Sequence, residues 1–403
     1  MSDVALGWEE RFLKATDFTP EAPGRLVSQN GIRGEFLAYV PDPLPPRLDL
    51  GMETVGLLTD ATMALGELKG VGRMLSNPHL LIRPFLSREA VASSRIEGTI
   101  TDLRQLVLFE ADRVEDGHAD DHQEVANYVQ ALTYGLERLA TLPVSLRLLR
   151  ELHERLMAGV RGENKRPGEF RDCQNMIGRG GQSPAQARFV PPPVSDMRTA
   201  LDDFEKYVAR RSSEYPSLID LALIHYQFET IHPFLDGNGR SGRLLISLLL
   251  IERELLTQPL LYLSSYFERN RDEYMDRLLD VSRRGAWTAW LDFFLIGVAE
   301  QSRAAVGHCN ALIELRDRYR EQTRAVTNSA QTLLLVDWLF ERPAFEVREV
   351  AEHLGVTLAS ANQMIGRLVG LGILEEATGK ARRRVFIASG IVETMERDDE
   401  DEL

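Results

Sequence analysis

The 403-residue chain predicts a mainly α-helical protein with a small β-hairpin flap and a C-terminal winged helix. Three observations lead there. Apolar residues recur at helical spacing through the middle of the chain, as in Leu132, Leu136 and Leu139 and again in Leu218, Leu221, Ala222, His225 and Phe228. Residues 170–194 break that rhythm with Gly178, Gly180, Gly181, Pro184 and the run Pro191-Pro192-Pro193. Residues 330–390 carry a helical stretch, a turn, a second helical stretch and then two short apolar runs around a polar turn, which is the order built on a helix-turn-helix core.

Taken in order, residues 1–115 read as an N-terminal helical region. Residues 1–20 carry Asp3, Glu9 and Glu10 and no apolar stretch, so they do not form a signal peptide. The proline-rich segment 41–46 predicts an extended, exposed connector. Leu57, Met63, Leu65 and Leu68 follow at helical spacing, and a second helix is expected over 87–96. Residues 116–310 form the helical core. Within it, Asn175-Met176-Ile177 and Arg188-Phe189-Val190 around glycine turns predict the hairpin. The prolines confine its second arm to an edge or strand end, and a lone hairpin is weakly stable, so a flap over the helical body is expected. In the third region, 330–390, helices are expected over 332–340, 347–354 and 360–371, with the wing at Gly372-Ile373-Leu374 and Arg384-Val385-Phe386-Ile387. Residues 391–403 form an acidic tail, and the unbroken acidic run 398–402 reads as disordered.

Length calls for two or three cores, and 44% hydrophobic with 27% charged residues is the composition of a soluble globular protein. No run approaches a membrane span, so a soluble, cytoplasmic protein without membrane contact is expected. Cys173 and Cys309 make neither a disulfide framework nor a metal-ligand spacing. A net charge of −14 argues against non-specific nucleic-acid binding by the whole chain. Residues 346–388 hold six Lys/Arg against five Asp/Glu, so charge does not favour DNA binding by the winged helix; dimerisation or substrate contact are the other uses of such a module.

The most informative segment is 232–243, His-Pro-Phe-Leu-Asp-Gly-Asn-Gly-Arg-Ser-Gly-Arg, followed by the apolar run 244–251. Gly237-Asn238-Gly239 makes a tight turn at a helix start, where free N–H groups and the helix dipole favour a phosphate. Arg240 and Arg243 lie three apart on that first turn. Cations there disfavour the helix unless an anion sits between them, and guanidinium groups grip phosphate oxygens in a fork. Asp236 suits Mg²⁺, which binds nucleotides through one or two carboxylates plus phosphate oxygens. His232 can take a proton from an attacking hydroxyl. A Gly-Asn-Gly loop alone is only a turn; the joint pattern carries the argument, and no Walker A loop is present.

This segment resembles the signature of Fic-domain proteins, matching it at His232, Phe234, Asp236, Gly237, Asn238, Gly239, Arg240 and Arg243. Pro43-Leu44-Pro45-Pro46, Pro167-Gly168-Glu169-Phe170-Arg171, Phe189-Val190-Pro191-Pro192 and Leu261-Tyr262-Leu263-Ser264 also look like this family, so the resemblance covers roughly 35–300. It implies a helical Fic catalytic core that transfers AMP from ATP to a Ser, Thr or Tyr hydroxyl of a target protein, or of itself. By that resemblance His232 is the general base and Asp236 holds Mg²⁺. The 237–239 amides and Asn238 bind phosphates, Arg240 contacts the outer phosphates and Arg243 the γ-phosphate, and Phe234 anchors the loop. The 175–194 flap receives an extended target segment by strand addition. Glycine at 239 favours AMP transfer over kinase-like use of the site.

Ser93-Ser94-Arg95-Ile96-Glu97-Gly98 resembles the family's inhibitory pattern. Ser93 and Glu97 share a helical face, and Gly98 can end the helix. The resemblance implies that Glu97 pairs with Arg243 and occupies the γ-phosphate clamp. Removal of AMP with Glu97 orienting water is the rival enzyme reading; a nucleotide-sensing DNA-binding regulator is the rival from another class. Tyr266 and Tyr274 are candidates to flank the adenine. His225 reads as a buried, satisfied histidine, His122 as an exposed loop residue, and His153 as a helical residue without a metal partner.

Overall fold

The computed structural model describes residues 14–31, 34–74, 79–111, 119–160, 163–178, 183–210, 214–379 and 383–397. The acidic run 398–402, Gly180 and Gly181 of the flap, and Lys380 and Arg382 of the wing lie outside the described residues.

Among the described residues two strands precede the first α-helix. β1 (Gly24–Gly31) and β2 (Gly34–Pro41) form an antiparallel hairpin with Ser28 opposite Leu37. The N-terminal region is therefore not wholly helical. Gly31 and Gly34 face each other where β1 ends and β2 begins, and β2 buries Ala38, Tyr39 and Val40. The connector after it is half-buried over residues 44–46, with the Tyr215 hydroxyl donating to the Pro46 carbonyl at 2.9 Å.

Helices follow: α1 (Met52–Met74), α2 (His79–Ile96), α3 (Leu103–Ala111), α4 (Ala119–Arg138), α5 (Leu146–Leu156), α6 (Val194–Val208), α7 (Ser217–Ile231), α8 (Asn238–Glu252), α9 (Ser264–Arg269), α10 (Arg271–Arg284) and α11 (Trp287–Val326). α2 starts eight residues earlier than the helix expected over 87–96 and runs through Pro84. An interior proline costs about 3 kcal/mol. Leu81, Phe85 and Leu86 are each 3% exposed around it, and burying side chains of that size stabilises by about 1.5–3 kcal/mol apiece. Packing thus outweighs the break.

α7 and α8 are apolar nearly all round and form the centre of the core, as helices buried on every side must. α11 is 40 residues long, roughly 60 Å at 1.5 Å per residue. Its first half packs Trp290 and Phe294 into this core, and its last turns carry Tyr319 against Phe340 of the C-terminal block.

That block comprises α12 (Ala330–Trp338), β3 (Ala344–Glu346), α13 (Val347–Leu354), α14 (Leu358–Gly370), β4 (Glu375–Glu376), β5 (Val385–Ile387) and α15 (Ser389–Glu396). Gly355 at φ 63° turns α13 into α14, and the three strands pair antiparallel in the order β3-β5-β4. The block packs back on α3: Arg104 donates to Glu375 at 2.8 Å and Ser389 at 2.9 Å, and Arg342 to the Glu110 carbonyl at 3.0 Å. Among the described residues no helix is long and apolar enough to cross a membrane.

The expected flap hairpin is reduced to a single antiparallel bridge, Ile177 with Phe189. The prolines after Phe189 remove the donors a second strand would need. The arm is held from behind instead: Tyr39 N–H of β2 donates to the Val190 carbonyl at 2.9 Å, and Phe36, Ala38, Ala187 and Val190 form a small core of their own.

Candidate active site

The site is built where α7 ends and α8 begins. His232 caps α7 in the left-handed region, at φ 51° and ψ 60°. A non-glycine residue in that conformation is strained by about 1–3 kcal/mol and needs surrounding structure to hold it. Arg171, 1% exposed, supplies that structure. It donates to the carbonyls of His232 at 3.0 Å, Cys173 at 3.2 Å and Pro192 at 2.6 Å. Asn175 adds bonds to the carbonyls of His232 at 3.2 Å and Phe234 at 2.8 Å. The same two residues therefore tie the flap to the loop.

The imidazole Nδ1 of His232 lies 3.1 Å from the Glu229 carbonyl. A carbonyl only accepts, so Nδ1 carries the proton and Nε2 keeps its lone pair. Burial pushes its pKa down to about 4, with Arg171 adding to the effect against the Glu229 carbonyl, Glu97 and Asp236. The ring is neutral at physiological pH, the form a base requires.

Beyond it, the Asn238 carboxamide accepts from Phe234 N–H at 2.8 Å and donates to the Phe234 carbonyl at 2.9 Å. Gly237 adopts φ 73°, and a Cβ there would lie 2.9 Å from the Met157 sulfur. Only glycine satisfies both constraints. The N–H groups that open α8 have no acceptor within the helix and face a cavity of about 370 Å³ lined by His232, Asp236, Gly237, Gly239, Arg243, Glu229, Tyr274 and the flap residues Ile177 and Phe189.

Glu97 enters this cavity from α2. That helix ends in a Schellman turn: Thr99 N–H donates to the Ser94 carbonyl at 3.2 Å and Gly98 N–H to the Arg95 carbonyl at 2.9 Å, with Gly98 at φ 93°. The carboxylate of Glu97 accepts from Arg243 Nη2 at 2.8 Å, while Ser93 takes the same guanidinium through its hydroxyl at 2.8 Å and its carbonyl at 2.9 Å. Desolvation alone would raise the Glu97 pKa; Arg243, by charge and hydrogen bond, with Arg240 and His232 behind it, carries it below the ordinary carboxylate value. Glu97 also lies where a Cβ on Gly239 would be. No side chain fits at 239 while Glu97 is seated.

Two motif side chains point elsewhere. The Asn238 carboxamide bonds Phe234 through its oxygen and one of its two N–H donors, so it braces the loop, while residue 238 itself lines the cavity. Arg240 is 4% exposed and does not line the cavity; it faces Glu124 of α4 at 3.4 Å and the Met157 sulfur at 3.5 Å. Buried Glu124 requires a cation, and Arg240 supplies one. Thr99 donates to the same Glu124 oxygen at 3.1 Å. Of the two tyrosines, Tyr274 lines the cavity, whereas Tyr266 packs its ring on Phe293 and Gly297 away from it.

Asp236 is exposed at the cavity mouth, with one oxygen accepting the Gly237 N–H at 2.7 Å. Among the described residues no group of three His, Cys, Asp or Glu could hold a metal ion. The donor set thus fits Mg²⁺ only in the form that draws its remaining ligands from nucleotide oxygens and water.

Three histidines complete the picture. His122, expected in an exposed loop, is 2% exposed in α4 and bonds the Thr101 hydroxyl through Nδ1. The turn after Glu97 needs its polar groups satisfied, and α4 supplies them: Asp121 accepts the Ile100 N–H at 3.1 Å. His225 is buried with Nε2 2.8 Å from the Tyr274 hydroxyl, while its Nδ1 has no partner. His153 is 0% exposed and lies against the motif loop, a contact that its place on an apolar helical face did not signal. Glu229 and Glu124 were likewise invisible as site residues. Burial pushes the Glu229 pKa up to about 7, with Arg243 lowering it and Glu97 raising it further.

Residues 55–137 match the Fic/DOC family N-terminal model and residues 143–250 the Fic/DOC family model. A protein adenylyltransferase Fic of Drosophila willistoni is 33% identical over 163 residues, and one of Drosophila ananassae 32% over 160 residues. Each match covers 39% of this chain, which spans 30% of the length of those relatives. Among solved structures, a Fic family protein from Desulfovibrio desulfuricans G20 shares the fold over 86% of this chain and 98% of its own, at TM-score 0.55 and 20% identity. Fic-1 from C. elegans does so over 65% of this chain and 74% of its own, at TM-score 0.51 and 20% identity. The chain thus carries a Fic domain at 143–250, preceded at 55–137 by the N-terminal region of the Fic/DOC family.

Proposed function

We propose that this protein is a self-inhibited protein adenylyltransferase that moves AMP from ATP to a Ser, Thr or Tyr hydroxyl of a target protein or of itself. The observation that carries the reading is the Glu97 carboxylate seated on Arg243, inside a cavity that also holds a neutral His232 and the open N-terminus of α8. The adenylyltransferase names of the relatives support it.

In this reading the target hydroxyl gives its proton to Nε2 of His232 as its oxygen bonds to the α-phosphorus. The bond from that phosphorus to the bridging oxygen breaks and pyrophosphate leaves. The α8 amides and Arg243 hold the phosphate oxygens in preorganised positions, where such donors are worth most. Mg²⁺, held by Asp236 together with phosphate oxygens, would neutralise charge on the leaving group. Arg240 acts through Glu124 and the loop rather than on the nucleotide. The target segment would lie along the flap at residues 176–178, at the cavity mouth. With Glu97 in place the γ-phosphate has no clamp, so ATP binds unproductively.

The test is intact mass after incubation with Mg²⁺ and ATP. We expect a gain of one AMP that is strongest for Glu97→Gly and absent for Glu97→Gly/His232→Ala. Full labelling of the double variant would overturn the base; a Glu97→Gly rate no higher than wild type would overturn the inhibitory contact. A second reading, removal of AMP, is favoured by one feature: the Glu97 carboxylate shares the cavity with His232 and could orient a water. Release of AMP from a modified protein, lost in Glu97→Gly, would select it.

A further inference from the structure

The motif loop rests on a residue outside the motif. His153, on α5 and 0% exposed, is bonded through both ring nitrogens in opposite senses. Its Nδ1 lies 2.9 Å from the Gly168 N–H, which can only donate. Its Nε2 lies 3.0 Å from the Asp236 carbonyl, which can only accept. The ring is thereby fixed as the neutral Nε2–H tautomer. It stacks face to face on Phe234, with centroids 3.8 Å apart and planes 3° apart. A Cβ on Gly237 would lie 3.4 Å from Nε2, so the loop lies in van der Waals contact with the ring.

We propose that His153 is a positioning residue: it holds the Asp236–Gly237 peptide, and through it aims the Asp236 carboxylate and the α8 amides into the cavity. The inference rests on the reading that this loop binds nucleotide phosphates. The peptide whose carbonyl His153 holds is the one whose N–H, on Gly237, turns back to Asp236 Oδ1 at 2.7 Å. Ring, peptide and carboxylate therefore form one chain of hydrogen bonds. This is the arrangement by which outer residues orient the groups that do touch a ligand.

Two replacements separate shape from hydrogen bonding. His153→Phe keeps a ring for Phe234 and loses both bonds; His153→Gln loses the ring and can supply both a donor and an acceptor. In the full-length Glu97→Gly protein, with folding checked by thermal denaturation, ATP affinity in Mg²⁺ is measured by calorimetry and AMP transfer by mass. We expect His153→Phe to lose about 100-fold in transfer and about 10-fold in ATP affinity, and His153→Gln to recover most of both, since a misplacement near 1 Å costs on that scale. The ¹⁵N shifts of the His153 ring in Glu97→Gly are expected to report the neutral Nε2–H tautomer at pH 7. Equal affinity and rate in His153→Phe, equal losses in both variants, or an Nδ1–H or charged ring at pH 7 would each overturn the assignment. If Glu97→Gly transfers no AMP, the affinity and ¹⁵N results still decide the role of His153, and only the transferase reading falls.

Discussion

The motif loop and the segment that covers it, residues 93–101, are held differently. The loop at 232–239 is fixed by its surroundings through the backbone: Arg171 and Asn175 donate to its carbonyls, Asn238 closes it on itself and His153 holds the Asp236 peptide. The inhibitory segment has backbone contacts as well, from Arg243 to the Ser93 carbonyl and from Ile100 N–H to Asp121, but its hold on the site runs through side chains: Ser93 and Glu97 to Arg243, Thr99 to Glu124, Thr101 to His122. Glu97 remains 38% exposed even when paired. Its partner Arg243 is 2% exposed, so the pair is open to water from the Glu97 side alone. The difference separates a preformed receptor from a removable cover. Catalytic geometry requires the loop to be the same with and without ligand, whereas a brake has to leave.

The largest effect should come from breaking the rigid side. Arg171→Met removes every donor to the carbonyls of His232, Cys173 and Pro192 that Arg171 supplies, and each buried group left unsatisfied costs about 1–3 kcal/mol. We expect a loss of about 3 kcal/mol or more in urea unfolding and at least a 100-fold fall in AMP transfer by Glu97→Gly, as the strained His232 relaxes. A stable protein with unchanged transfer would show that the loop holds itself. The removable side should respond more gently. Thr99→Val takes one hydroxyl from Glu124 without touching the Glu124–Arg240 pair. A hydrogen bond of that kind contributes about 1 kcal/mol, so transfer by the otherwise wild-type chain should rise about fivefold, with no change in the Glu97→Gly background. An equal rise in both backgrounds would mean that Thr99 acts on the loop, not on the cover.

The same contrast decides what could be read from sequence. Residues that chemistry places close along the chain were legible: the turn glycines, the α8 start, and Ser93 with Glu97 one turn apart on a helix. Arg171, Asn175 and His153 were not identified as supports for the loop. They act on backbone atoms some 60 to 80 positions away, and an arginine after Phe170 or a histidine between Leu152 and Leu156 reads as ordinary. Arg240 shows the limit from the other side. Its spacing from Arg243 suggests a shared role, yet the buried charge of Glu124 on α4 decides where its side chain goes. The β1–β2 hairpin carries only a weak signal, Gly31 and Gly34 around two residues and the apolar run of β2, beside the stronger helical rhythm. The 175–190 hairpin was expected from its turns and is reduced to one bridge, because the prolines beside it withhold donors while β2 offers the backing.

The smallest expected effect lies at the join between the two regions. Glu89 sits one turn before Ser93 on α2, 2% exposed, accepting from the Tyr128 hydroxyl at 2.8 Å and from the Ser264 hydroxyl at 2.5 Å and amide at 3.3 Å. It anchors to the rigid core the helix whose far end carries the brake. Burial pushes its pKa up to about 7, against the hydrogen bonds from Ser264 and Tyr128 and the charge of Arg243. A carboxyl raised in the folded state favours folding fully below its unfolded pKa of roughly 4.3, and that contribution is lost as pH rises through about 7. Between about pH 4.3 and about pH 7 the wild type should therefore lose about 1 kcal/mol per pH unit from this group and level off above that, while Glu89→Gln should not. Urea unfolding of the two proteins at pH 6 and pH 8.5 measures the difference: the Gln variant should gain about 1–2 kcal/mol relative to wild type across that interval. A gap that stays constant would mean that Glu89 is ionised throughout and binds α2 to the core as a charge. In that case the anchor of the brake would resemble its tip, and the boundary between fixed and removable structure would lie deeper in α2 than Ser93.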